Sequence, residues 1–177
     1  FDVPAISQAC AMGLNGTACA TNIWVTGGSV HNYLGADSNL YHCWYIEDSD
    51  NIIENAQCYN WNGGFGIHNY TQAGTANRNT YRNIWIHELG NAAWGVGAVL
   101  LTTGSNNVAY NILMTNVAEG GSIGGSCNNC AIYNSTVYRS GKYPADRIDH
   151  PEACCYAGLK IDSGAQNAQI RNSIIYD

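Results

Sequence analysis

The sequence predicts an all-β solenoid: a single repeat domain of about five to six stacked coils over residues 21–177, with a cap segment over 1–20. Two observations predict it. First, Asp50 to Tyr70 (DNIIENAQCYNWNGGFGIHNY) holds three short β-type runs broken by polar or Gly-rich turns, with no helical spacing. Second, the pattern returns at Arg78–Asn83, Asn106–Asn111, Asn128–Asn134 and Gln166–Asn172. The runs close on Asn55, Asn83, Asn111, Asn134 and Asn172, at intervals of 28, 28, 23 and 38 residues. We read this as a unit of roughly 22 residues carrying insertions of variable length. One unit has too few apolar residues to bury a face alone, so it must stack on its neighbours, its strands pairing in parallel at about 4.8 Å. A closing Asn tolerates the left-handed backbone of a sharp corner and can bond the Asn above and below it.

Taken in order, Asp2-Val3-Pro4 followed by Ala5–Met12 reads as a short capping helix, Asp2 near its start and Pro4 in its first turn. Such a helix covers the open edge of the first coil. Cys10 and Cys19 flank a short turn and are expected to close it. Residues 21–30 read as the first coil strand and 31–39 as a loop. In His42–Glu47, alternation places Trp44 and Ile46 inside and Tyr45 and Glu47 outside. The next outer positions are expected to be His68 and Tyr70, then Leu100 and Thr102, then Gly124 and Ser126, then Lys160 and Asp162. Inside, Ile67, Val99, Ile123 and Leu159 are expected to form one column, with Trp44 above them. Two insertions, 31–41 and 139–157, depart from the repeat. The second carries Arg139, Lys142, Asp146, Arg147, Asp149, His150 and Glu152.

The stretches NNVAYNILMTN (106–116), GFGIHNY (64–70) and GLKIDSGAQNAQIRNSIIYD (158–177) resemble the units of right-handed, single-stranded parallel β-helix proteins, the pectate-lyase-like superfamily. The resemblance spans about residues 40–177. It implies a right-handed coil and a role with polysaccharides, as a lyase, hydrolase or epimerase, or else a tailspike- or adhesin-like role. It also implies that substrate lies along an outer strand face walled by turn insertions, here 31–41 and 139–157.

Composition narrows the field. The net charge is −6 and only 11% of residues are charged, which leaves no basic footprint for nucleic acid. The longest apolar run, Ala92–Leu101, is too short to span a bilayer. Eight cysteines, Cys10, Cys19, Cys43, Cys58, Cys127, Cys130, Cys154 and Cys155, point to an oxidising compartment and to disulfides whose connectivity the sequence leaves open. The alternative, a thiolate zinc site from Cys127, Cys130, Cys154 and Cys155, is disfavoured because adjacent cysteines rarely ligate one metal. Sequons at Asn15, Asn69 and Asn134 fit a secreted glycoprotein. The chain starts at Phe1, and we read it as a processed product or a fragment.

Gly120-Gly121-Ser122-Ile123-Gly124 matches the serine-hydrolase pattern G-x-S-x-G, but it falls in a repeat strand and lacks the strand–turn–helix elbow. Two chemistries fit the outer face. Glycosidases need paired carboxylates, for which Glu47 with Asp48, and Asp162, are candidates. A lyase needs a base, and Tyr45, His68, Tyr70 and Lys160 suit by type, with Ca²⁺ as the cofactor only in that case. No Asp cluster resembles the calcium site of pectate lyases. The expected catalytic set is therefore Tyr45, Glu47, His68, Lys160 and Asp162, with Tyr70, Lys142, Arg147 and His150 binding substrate. The partner is a polysaccharide. The rival expectation is a structural subunit that stacks end to end, through its last coil, into an extracellular fibre.

Overall fold

The computed structural model describes residues 21–33, 41–71, 76–89, 97–140 and 158–176. Among them there is no helix, and every strand pairing is parallel. The arrangement is compatible with a β-helix. The expected capping helix, and Lys142, Arg147, His150, Asn15, Cys10, Cys19, Cys154 and Cys155, lie outside the described residues.

The strands are β1 (Trp24–Thr26), β2 (Ser29–Tyr33), β3 (Trp44–Ile46), β4 (Ile52–Glu54), β5 (Gln57–Trp61), β6 (Ile67–Asn69), β7 (Thr80–Leu89), β8 (Gly97–Leu101), β9 (Val108–Val117), β10 (Glu119–Ile123), β11 (Ala131–Tyr133), β12 (Thr136–Ser140), β13 (Leu159–Ile161), β14 (Gln169–Arg171) and β15 (Ile174–Tyr176). A five-stranded sheet has the order β3-β6-β8-β10-β13. A ten-stranded sheet is folded into two halves, β1-β4-β7-β9-β11-β14 and β2-β5-β7-β9-β12-β15. Strands β7 and β9 run through both halves and turn at Asn83 and Asn111, each with φ near +55°. The segment expected to be one strand at 21–30 is therefore two, β1 and β2, parted by Gly27 and Gly28. His31–Tyr33, expected in a loop, ends β2.

Apart from the further glycines Gly28, Gly104, Gly125 and Gly164, left-handed corner residues recur every five positions within a unit. They are Asn22, Gly27 and Asn32, then Asp50, Asn55 and Asn60, then Arg78, Asn83 and Glu88, then Asn106, Asn111 and Asn116, then Asn129, Asn134 and Arg139, then Asn167 and Asn172. Asn dominates because its short side chain tolerates this conformation better than others do. The five-residue steps never change. All the variation between the 28-, 23- and 38-residue units falls in the segment carrying the five-stranded sheet. The regular unit is thus 28 residues, not roughly 22.

The corner asparagines form the expected exposed ladder: Asn111 Nδ2 donates to Asn83 Oδ1 and Asn83 Nδ2 to Asn55 Oδ1, both at 3.2 Å. A second ladder is buried. Asn51, Asn79 and Asn107 are at most 1% exposed. The backbone N–H of Ile23 bonds Asn51 Oδ1, that of Asn51 bonds Asn79 Oδ1, and that of Asn79 bonds Asn107 Oδ1, at 2.9–3.0 Å. Each side chain thus satisfies a backbone donor that burial would otherwise leave unpaired.

Apolar columns fill the space between the sheets. Val25, Ile53, Tyr81, Ala109, Ile132 and Ile170 share a register position in one half. Val30, Cys58, Ile86, Met114, Val137 and Ile175 share one in the other. Complete burial of a side chain such as Ile86 contributes roughly 1.5–3 kcal/mol. On the five-stranded sheet, Trp44, Ile67, Val99 and Leu159 align as expected, but Gly121 occupies the position expected for Ile123. Ile123 instead aligns with Ile46, Asn69, Leu101 and Ile161. The outer register moves with it: Ser122, not Gly124, follows Leu100. The reason is the shorter 23-residue unit, whose Gly-rich strand gives no apolar marker for counting. Ser122 of the G-x-S-x-G match is 2% exposed within β10, with no elbow.

Two disulfides are present among the described residues, Cys43–Cys58 and Cys127–Cys130. The first ties the five-stranded sheet to the second half of the large one. The second removes two thiolates from the disfavoured zinc alternative. Disulfides are compatible with an extracellular protein. No helix among the described residues is long and apolar enough to cross a membrane.

Candidate functional site

The outer face of the five-stranded sheet carries chemistry at both ends. Because side chains alternate along a strand, parallel pairing stacks each outer position into a row. One row is Tyr45, His68, Leu100, Ser122 and Lys160. Backbone bonds from Tyr70 to Ile46, Thr102 to Asn69, Gly124 to Leu101 and Asp162 to Ile123 continue the register. They give a second row of Glu47, Tyr70, Thr102, Gly124 and Asp162. Tyr45, Glu47, His68, Tyr70, Lys160 and Asp162 therefore lie on one face, in two groups separated by β8 and β10.

The first group is aromatic. His68 packs against Tyr70, Tyr45 and Phe65, with ring centroids 5.4, 5.2 and 5.0 Å away. Beneath it lies His42, 8% exposed, whose Nε2 is 3.1 Å from His68 Nδ1. The backbone N–H of Phe65 donates to His42 Nδ1 at 2.9 Å. An acceptor at Nδ1 puts the hydrogen of a neutral His42 on Nε2, from which it donates to His68 Nδ1. That leaves the hydrogen of His68 on its own Nε2. The chain of bonds orders both rings and opposes protonation. Burial lowers the pKa of His42 to about 4. Burial, and then the His42 neighbour, holds His68 well below the usual histidine range. His68 is thus a fixed neutral donor rather than a ready base.

Glu47 sits beside this group and accepts a hydrogen bond from Tyr45. Burial raises the Glu47 pKa while that bond opposes the rise. Burial, followed by the Glu47 and Tyr70 neighbours, drives the Tyr45 hydroxyl far above its ordinary range. Tyr45 is a proton donor here, not a phenolate base.

The second group is ionic. Lys160 Nζ lies 3.0 Å from Glu119 Oε2 and 3.7 Å from Asp162 Oδ1. Glu119 is 2% exposed, and its methylenes pass where a side chain at Gly97 would have to stand. Burial raises the Glu119 pKa, opposed by Lys160 and by a hydrogen bond from Ser122. Two carboxylates hold the ammonium in place. His42, Phe65 and Glu119 escaped the sequence reading. His42 sits one residue before the Cys43–Trp44 pair that anchors β3, and Glu119 opens the Gly-rich run that hid the register.

Asn69, a sequon residue, points inward and is fully buried. Its Nδ2 donates to the carbonyls of Ala76 and Thr103, and its Oδ1 accepts from Asn79 Nδ2 and the Tyr81 hydroxyl. A glycan has no room there in the folded chain, so none stands beside His68. Asn134 is exposed at its corner.

The second half of the large sheet carries its own aromatic row. The rings of His31, Tyr59 and His87 stack at 4.7 and 4.9 Å with planes 7° apart, and Trp85 lies 4.0 Å from His87. These rings cover one another, and Trp85 is 40% exposed.

No protein-family model matches the chain, and neither the curated proteins nor the solved structures contain a match to it.

Proposed function

We propose that the chain is a secreted, right-handed parallel β-helix protein of the pectate-lyase-like kind, and that the outer face of its five-stranded sheet binds carbohydrate. One observation carries the reading: Tyr45, Phe65, His68 and Tyr70 pack into a single aromatic patch beside the Glu47 carboxylate. Aromatic rings next to a few polar groups suit a sugar, whose C–H faces stack while its hydroxyls bond. The parallel pairing and the disulfides support the fold and the compartment. Binding is better supported than turnover. The raised Tyr45, the neutral His68 and the paired Lys160 each lack the free proton-accepting form that a lyase base needs. A panel of immobilised polysaccharides tests the reading, with wild type compared with Tyr45→Ala and His68→Ala. Retention that falls in both variants supports it, and no retention on any member refutes it.

A second reading, end-to-end stacking into a fibre, is favoured by the last described unit, where Ile174, Ile175 and Tyr176 are each about 60% exposed. One more unit of the same kind would cover them, from a second copy or from the same chain. Filaments in electron micrographs of the purified protein would favour the copy.

A further inference from the structure

His42 lies beneath the aromatic patch, against the rings of Tyr45, Phe65 and His68. Packing alone does not account for it. An apolar side chain would fill the same space without burying two ring nitrogens, which is costly unless each is bonded. The backbone N–H of Phe65 calls for an acceptor, and His42 Nδ1 supplies one at 2.9 Å, but an amide oxygen at that point would accept as well. What the imidazole adds is a donor on its far side: Nε2 carries the hydrogen and stands 3.1 Å from His68 Nδ1. The bond that one ring nitrogen makes decides the protonation of the other, so His42 decides where His68 keeps its hydrogen. The start of this chain of bonds is held in place. The carbonyl of Phe65 accepts the N–H of Cys43 at 3.1 Å, and that of Gly66 accepts the N–H of Trp44 at 2.9 Å. The chain ends at His68 Nε2, for which no acceptor stands among the described residues. The His68 ring is half-buried and flanked by Tyr45, Phe65 and Tyr70.

We propose that His42 is a positioning residue of the sugar-binding patch: it fixes on His68 Nε2 the hydrogen that a sugar oxygen accepts. His42 never touches the sugar. It acts through His68, by excluding the tautomer in which Nε2 would be a lone pair and would repel the same oxygen. The inference rests on the carbohydrate reading, and the two fail differently.

Two variants separate the two bonds of His42. His42→Gln can accept from Phe65 with its oxygen and donate to His68 with its nitrogen. His42→Asn keeps an acceptor near the place of Nδ1, but its amide nitrogen ends a bond short of the place of Nε2. The test uses the full chain in solution. Nitrogen-15 NMR at neutral pH reads which ring nitrogens carry hydrogen, and titration with xylo-, manno- and gluco-oligosaccharides and with oligogalacturonate reads affinity. The expected wild-type spectrum has hydrogen on Nε2 of both rings and a coupling across the bond from His42 Nε2 to His68 Nδ1. In His42→Asn the coupling is gone, the His68 tautomers mix, and the best-bound sugar is held about tenfold less tightly. His42→Gln keeps His68 in the wild-type tautomer and binds within about twofold of wild type. Melting points check that each variant is folded. Hydrogen on His68 Nδ1 in the wild type overturns this inference and leaves the carbohydrate reading standing. So does His42→Asn binding as tightly as wild type, or His42→Gln binding as weakly as His42→Asn. No binding of any sugar by the wild type overturns both.

Discussion

Asn79 precedes β7 of the large sheet and Asn69 ends β6 of the five-stranded one, and the Nδ2 of the first donates to the Oδ1 of the second at 2.9 Å in a fully buried space. The same Asn69 oxygen accepts the Tyr81 hydroxyl at 2.7 Å, and Asn79 Oδ1 accepts the backbone N–H of Asn51. The segments leading into β4 and β7 are therefore tied to β6 by amide groups that also bond backbone atoms and the Tyr81 hydroxyl. Asn69 lies two residues from His68's neighbour Ile67 on β6, so this network also fixes the strand that presents the aromatic patch.

Asn79→Ala should destabilise the protein by about 3 kcal/mol, because it leaves the buried N–H of Asn51 without a partner and strips Asn69 of one donor. Asn83→Gly should change stability by less than about 1 kcal/mol, since its ladder is exposed and Gly accepts φ near +55° without strain. Denaturant melts of the two variants check the contrast. Equal losses would mean that burial of the ladder does not decide its contribution.

Val99→Asp puts a carboxylate in a column that is completely buried, between Ile67 and Gly121. The penalty is several kcal/mol, comparable to the whole stability of a small domain, so the variant should be insoluble or lack a cooperative melt. Thr136→Asp, at a partly exposed position on the other side of the molecule, is the matched control. A soluble Val99→Asp protein with an unchanged melting point would refute the register.

The two disulfides should differ in weight. Cys43–Cys58 closes 15 residues and Cys127–Cys130 closes 3. In the chain-entropy account, removing the first as a double Ala variant costs about 3 kcal/mol and removing the second about 1.5 kcal/mol. Melting points of the two double variants under non-reducing conditions test the order.

Stability should fall as the solution is acidified below about pH 6.5. His42 and His68 have folded-state pKa values below their unfolded ones, so the unfolded chain binds more protons in this range and is favoured as pH drops. For His42 the effect spans the window from 6.5 down to about 4 and amounts to roughly 3 kcal/mol. His42→Gln keeps an acceptor for Phe65 N–H and removes the titration, so its melting point should be flatter between pH 7 and 5. A wild-type melting point that does not move over that range would contradict the buried pair.

In protein secreted from a eukaryotic cell, peptide mass spectrometry should find Asn69 unmodified, because its amide is engaged on both sides in the core. An occupied Asn69 in folded protein would show that β6 faces the other way.

Much of the fold was legible because Asn marks the corners. The spacing of Asn55, Asn83 and Asn111 predicted the parallel stack, and alternation along the strands the outer placement of Tyr45, His68 and Lys160. The five-residue step was harder to see, since Arg78, Glu88 and Arg139 stand where Asn would have signalled it. The slip at Ile123 has a physical origin: Gly120 and Gly121 remove the side chains by which inner and outer positions are told apart. The His42–His68 pair was invisible because it joins residues 26 apart through register and turn geometry, and no local pattern encodes that. Nor does sequence alone separate an Asn that caps a corner outside from one that bonds a backbone inside. Asn51 and Asn55 look alike in a string, yet one is 1% exposed and the other open to solvent.

The constant five-residue steps divide the molecule into a chassis and an interchangeable panel. A single residue added within a step would turn every following side chain of that strand to the opposite side. A five-residue loss, or a ten-residue gain, in the segment carrying the five-stranded sheet is already present in the natural units and leaves the corners in line. Segments of foreign sequence can therefore be spliced between the left-handed residue that ends one unit and the strand of the five-stranded sheet that follows it, with that strand's inward residues kept. The exposed surface can change there while the packing beneath it stays as it is.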